Sequence, residues 1–154
     1  MRVLIADDEP PKLRNLEEAV EKILPGVTVS FAKSVKSAIA EIAAQSPDLV
    51  LLDMSLPTFD VSAGEPGGRP QGTGGEEVLR YMKFRRMSSP VVIVTQYEAF
   101  NKNGRQIELS SLEARLISEH GKIFRGFVYY GPLTDSWRMR LEEKLREAFD
   151  GVSE

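Results

Sequence analysis

Residues 2–8 read Arg2-Val3-Leu4-Ile5-Ala6-Asp7-Asp8, and residues 49–53 repeat the pattern as Leu49-Val50-Leu51-Leu52-Asp53. From Val3 and from Leu49, each is a short, unbroken apolar run that stops on a carboxylate. A run of this length with no polar alternation suits a strand covered on both faces, as in a parallel sheet. Thr28 to Ala32, Val91 to Val94 and Phe127 to Tyr130 supply three more candidate strands. Helical periods fall between them. From Pro11 to Leu24 the apolar residues Leu13, Leu16, Val20, Ile23 and Leu24 make one stripe, with Pro10 and Pro11 at its start and Pro25-Gly26 as its stop. Ser34 can cap a helix whose inner face is Val35, Ala38, Ile39 and Ile42. Glu76 to Arg86 predicts a third helix through Val78, Leu79 and Met82, and Ser110-Ser111-Leu112-Glu113 resembles the capping box of a fourth. Asp135 or Ser136 opens a last helix carrying Trp137, Leu141, Leu145 and Phe149.

Five strands alternating with five helices predict a three-layer α/β sandwich, with flavodoxin-like strand order 2-1-3-4-5. The length, 154 residues, fits one domain spanning 1–154. A Gly/Pro-rich stretch from Thr58 to Gly75 interrupts it as an insertion, readable as a passive surface loop or as a lid beside Asp53. Asn101 to Arg105 reads as a polar turn before the fourth helix.

Composition narrows the function. The chain has no cysteine and a single histidine, His120, so disulfides, thiolate nucleophiles and multi-histidine zinc sites are excluded. A net charge of −3 argues against broad phosphate neutralisation, hence against a nucleic-acid partner. Basic residues on the last helix are balanced by Glu142, Glu143 and Glu147. No apolar run is long enough to span a bilayer, and the first one breaks too early for a signal peptide, so a cytoplasmic protein without a membrane partner is expected. Gly67-Gly68-Arg69-Pro70-Gln71-Gly72 imitates a P-loop but lacks its Lys and hydroxyl residue. His120 beside Gly121 reads as a helix-end residue that would favour the dipole when charged.

The carboxylates carry the chemistry. In an open parallel sheet, ligands gather beyond the carboxyl ends of the strands, where strand order reverses. Order 2-1-3-4-5 makes the strands before Asp7-Asp8 and before Asp53 neighbours, so three carboxylates converge. Such a cluster calls for a hard divalent cation, and Mg2+ prefers oxygen ligands with water positions left open. That arrangement suits phosphoryl transfer onto a carboxylate: Asp53 attacks, and the Thr95 hydroxyl at the end of the next strand holds a phosphoryl oxygen.

Ala6-Asp7-Asp8-Glu9-Pro10, Leu51-Leu52-Asp53-Met54-Ser55-Leu56-Pro57 and Val92-Ile93-Val94-Thr95 resemble the receiver domain of two-component response regulators. The resemblance implies that Asp53 accepts phosphate from a histidine kinase or phosphotransfer protein. It implies that Asp7, Asp8, Asp53 and the backbone carbonyl of Ser55 hold Mg2+, and that Thr95 turns toward the phosphate. Ser55 and Tyr97 fall at the positions that tune phosphate loss. Phe127 reads either as the switch aromatic of the fifth strand or as a core aromatic. The chain would then be a signalling protein, not an enzyme, acting on a downstream effector protein. The face made by the fourth helix, fifth strand and fifth helix would serve docking or homodimers.

One departure stands out. The family places a Lys before a Pro just after the fifth strand, and here Tyr129-Tyr130-Gly131-Pro132 stands instead. Lys122 and Arg125 are the nearby cations that could replace it. The chain ends soon after the last helix, which fits a stand-alone receiver without an output domain. The alternative is an unphosphorylated pseudo-receiver that acts as a constitutive docking module.

Overall fold

A computed structural model describes residues 1–59, 74–96, 99–102, 105–131 and 135–150. Five parallel strands form one sheet: β1 (Arg2–Ala6), β2 (Thr28–Ala32), β3 (Leu49–Leu52), β4 (Val91–Thr95) and, last in the chain, β7 (Phe124–Tyr129). Their order is β2-β1-β3-β4-β7, the flavodoxin-like 2-1-3-4-5 expected from the alternation of runs and periods. Five helices cover it: α1 (Pro10–Ile23), α2 (Val35–Gln45), α3 (Gly74–Phe84), α4 (Leu109–His120) and α5 (Ser136–Asp150).

The apolar runs behave as doubly buried strands. Val3 and Ile5 pack with Leu13, Leu16 and Val20 of α1 and with Trp137, Leu141 and Leu145 of α5. Leu4 and Ala6 point to the other face, toward Ala38 and Ile42 of α2 and Leu79 of α3. Two cores, one on each side of the sheet, are the physical content of the three layers.

Several local expectations need correction. Of the turn expected over Asn101 to Arg105, Asn101, Lys102 and Arg105 lie in strands: β5 (Ala99–Lys102) and β6 (Arg105–Glu108) form a second, antiparallel pair. Two strands separated by the dipeptide Asn103-Gly104 carry the sequence signature of a tight hairpin. The fourth helix starts at Leu109 with Glu108 as its cap residue, without a side-chain capping bond. Ser110 and Ser111 therefore lie within its first turn and form no capping box. Ser34 does cap α2, accepting the Ser37 N–H at 3.0 Å. The last sheet strand starts at Phe124, three residues before the expected Phe127.

The third helix starts at Gly74, two residues ahead of the expected Glu76, and so takes in the end of the predicted 58–75 insertion. Residues 60–73 of that insertion, with its P-loop imitation, lie outside the described residues, as do Tyr97 and Pro132. His120 ends α4 as expected, but it is buried. Burial pulls its pKa below the ordinary histidine value, which favours the neutral ring.

Candidate acidic site

The sheet register brings the carboxylates together. Ala6 pairs with Leu52 across β1 and β3, so both strands end level and their next residues, Asp7 and Asp53, emerge side by side. The Asp53 N–H donates to the Ala6 carbonyl at 2.9 Å, which extends the ladder by one bond and fixes Asp53 at the strand end. One oxygen from each of Asp7, Asp8 and Asp53 lies within 4.8 Å of the others. Asp7 and Asp53 are buried, whereas Asp8 is exposed and marks the open side of the pocket. Thr95 is buried at the end of β4, beside β3, and its carbonyl accepts the Tyr130 N–H at 2.7 Å. Ser55 turns back on Asp53: its hydroxyl lies 3.3 Å from Oδ2, and its N–H 3.4 Å from Oδ1. Phe127 sits apart from these groups, buried in the core with its ring edge-on to Phe124 at 5.4 Å.

The loop that presents Asp53 is held from behind by Gly74 and Gly75. The Gly75 N–H donates to the Met54 carbonyl at 2.9 Å. A Cβ on Gly75 would stand 2.7 Å from the Asp53 carbonyl oxygen, closer than any side chain tolerates. Glycine at this place lets the start of α3 pack directly on the site loop.

Sequence reasoning missed one residue of the pocket. Lys12, on α1, is fully buried, and its Nζ forms an ion pair with Asp7 Oδ2 at 2.7 Å. The same Nζ donates to the Val94 carbonyl at 2.8 Å and to Asp53 Oδ1 at 3.4 Å. Local structure explains its aim. Asp7 Oδ1 accepts the Glu9 N–H at 2.9 Å, which anchors the entry to α1, and Pro10 and Pro11 pre-set the first helical residues. Helical side chains lean toward the helix N-terminus, so a lysine in the first turn reaches back over the strand ends. A sequence signal existed. Lys12 lies one turn before Leu16 on the stripe that α1 buries, where a charged residue demands a partner.

Neither Lys122 nor Arg125 takes this place. Both are exposed, and Lys122 precedes β7, lining a groove with Lys83 and Arg86 at the opposite, amino-terminal end of the parallel strands.

The electrostatics follow from burial. The Asp53 carboxyl is pushed up to about 6, chiefly because it is desolvated. Lys12 pulls it back down, Asp7 raises it, the Ser55 N–H lowers it and Asp8 raises it further. Asp8 is also raised, first by burial of its carboxyl and then by Asp7. Burial lowers Lys12, yet Asp53 and Asp7 together hold it above its ordinary value, so it stays charged. Three carboxylates and one ammonium leave the pocket with two surplus negative charges when all are ionised.

Residues 3–64 match the family model described as the response regulator receiver domain. The chain is 29% identical over 154 residues to the Detocs response regulatory protein DtcB of Enterobacter cloacae (strain JD6301), covering 96% of this chain and 99% of that one. It is 27% identical over 148 residues to the protein of the same name from Vibrio alginolyticus, covering 94% and 99%. Among solved structures, the signal receiver domain of a putative Luxo repressor protein from Vibrio parahaemolyticus superimposes with a TM-score of 0.65 at 20% identity, over 99% of this chain and 96% of that one. The response regulator protein TrrA of Thermotoga maritima, solved in complex with Mg(2+)-BeF, does so with a TM-score of 0.63 at 21% identity, over 96% and 97%. The similarity to the response regulator receiver domain falls on residues 3–64, the stretch that holds Asp7, Asp8 and Asp53.

Proposed function

We propose that the chain is a Mg2+-dependent phosphoacceptor, phosphorylated on Asp53 by a histidine kinase or phosphotransfer protein and signalling through a downstream effector protein. One observation carries this reading: three carboxylate oxygens from two adjacent strand ends lie within 4.8 Å of one another, with Asp53 at the buried end and Asp8 at the open one. An all-oxygen donor set with a surplus of negative charge fits Mg2+. Asp7, Asp8, Asp53 and the Ser55 carbonyl would hold it. When bound, the metal neutralises charge that develops on the phosphoryl oxygens.

The chain's own groups do the rest. An Asp53 oxygen forms the new O–P bond in line with the bond that breaks, and the donor's nitrogen or oxygen departs with that bonding pair. The Thr95 hydroxyl, at the neighbouring strand end, accounts for the reception of one phosphoryl oxygen. Phe127, on the strand that follows Thr95 in the sheet, is the aromatic that would respond. The chain is read as one domain that works in the cytoplasm. Among the described residues no helix is long and apolar enough to cross a bilayer.

The test is incubation with a small phosphodonor and Mg2+, followed by intact-mass measurement of wild type and Asp53→Asn. A phosphate adduct confined to the wild type is expected. A second reading, a docking module that is never phosphorylated, draws on the Lys12 ammonium, which pairs with both Asp7 and Asp53. Failure of a competent donor to leave any adduct would favour it.

A further inference from the structure

We propose that Lys12 is the cation that faces the phosphoryl group on Asp53, supplied from the first turn of α1 in place of the lysine missing after β7. The inference rests on the phosphoacceptor reading of Asp53 and adds a residue to it.

Three independent contacts set the position of the ammonium. It is tight on Asp7 at 2.7 Å and on the Val94 carbonyl at 2.8 Å, but loose on Asp53 Oδ1 at 3.4 Å. The two tight contacts anchor the charge. The loose one leaves it free to shift toward an oxygen attached beyond the Asp53 carboxylate. A phosphoryl oxygen is a stronger partner than the neutral acyl oxygen that Asp53 keeps after transfer, so the contact gains when the group is transferred.

Tyr130, directly after β7, fits this arrangement. Tyr130 lies next to Gly131-Pro132, where the family's lysine is expected. Its buried ring lies under Lys12 Nζ, 5.9 Å from centroid to nitrogen, and Trp137 of α5 backs it at 5.0 Å. Its hydroxyl meets the Asn15 Nδ2 donor at 2.6 Å. Lys12 and Asn15 are one turn apart on α1, so a single helix face supplies the cation and grips the strand end that would ordinarily supply it. Charge balance agrees. With Lys12 in the pocket, one divalent cation brings the three carboxylates to neutrality.

The lysine and the metal share Asp7 and Asp53, so removing Lys12 has opposite effects on two ligands. In Lys12→Met, which keeps the length of the stem, Mg2+ alone binds as well as or more tightly than in wild type, because a competing cation is gone. Beryllofluoride with Mg2+, a phosphoryl mimic, binds at least about tenfold more weakly, the loss of one charge-assisted hydrogen bond. Lys12→Arg restores part of the beryllofluoride affinity. Both affinities are measured by calorimetry, and Trp137, the chain's one tryptophan, serves as a fluorescence reporter through Tyr130. A lesion that merely loosens the fold weakens both ligands together. Parallel loss, or beryllofluoride binding unchanged in Lys12→Met, overturns the proposal. If Lys12→Met does not fold, the same pair of titrations on Lys12→Gln decides in the same way. Wild type that takes neither beryllofluoride nor phosphate overturns the Asp53 reading itself and the role of Lys12 with it.

Discussion

Asp53→Asn asks whether burial or pairing governs the acidic pocket. In the folded chain the Asp53 carboxyl is pushed from its ordinary 3.8 to about 6, burial outweighing the pull of Lys12. A carboxyl with a raised value holds its proton more tightly folded than unfolded, so its ionisation opposes folding. The stabilising contribution is complete below the ordinary value, falls as pH rises toward 6, and is absent above that. Asn imitates the protonated acid at every pH. The variant should therefore match wild type near pH 4 and become more stable as pH rises. The rise from 3.8 to about 6 corresponds to about 3 kcal/mol above pH 6.5 in the absence of metal. For a chain of this length that is a gain of roughly 6–12 °C in midpoint. Urea and thermal melts of both proteins in chelator, from about pH 4 to about pH 8, measure it across the titration. A difference that stays constant over this range, or that grows in favour of wild type, would refute the reasoning. It would mean that the Lys12 ion pair outweighs the desolvation of Asp53.

Three further outcomes are expected. Adding Mg2+ at neutral pH relieves the surplus charge. At a hundredfold excess over its Kd it should raise wild-type stability by about 2.7 kcal/mol, and much less in Asp8→Asn or Asp53→Asn, as read by thermal melts over a metal titration. Arg115 on α4 forms a two-pronged ion pair with buried Glu76 of α3, its Nη2 lying 2.8 Å from Oε2. Arg115→Ala strips a charge partner from a buried carboxylate and should cost about 1–3 kcal/mol in urea unfolding, while Arg115→Lys recovers only part because a lysine cannot make both bonds. Gly75→Ala forces a Cβ against the Asp53 carbonyl and Met54 Cα. It should destabilise the chain by about 1–3 kcal/mol and slow phosphate uptake in the same preparation, whereas an Ala variant with unaltered stability and uptake would show that the loop yields freely.

Some of this protein could be read without coordinates. The runs Val3–Ala6 and Leu49–Leu52 are apolar on both pleats, which only a sheet covered on two sides can bury, and right-handed crossovers left little choice of strand order. The carboxylates that close those runs were legible for the same reason, because parallel strands with level ends deliver their next residues to one edge. Residues 99–108 were less legible. A hairpin lying outside the main sheet has no long apolar run to announce it, only the Asn103-Gly104 punctuation.

Lys12 was legible only as a charged residue on the stripe that α1 buries, and its partners belonged to the tertiary structure. Its neighbours in sequence describe an ordinary helix start, and none of its partners is local apart from Asp7. Asp53 and Val94 reach it from β3 and β4 only because the sheet closes over α1. That one of three crowded carboxyls is raised follows from their crowding, but that it is Asp53, and chiefly through burial, was hidden, since it depends on how deeply a carboxyl is buried against how closely a cation approaches. Strand character and strand-end chemistry are set by short-range pattern, which a sequence carries openly. A charge balance in a buried pocket is a sum over distances between residues far apart in the chain, and only the folded arrangement supplies those distances.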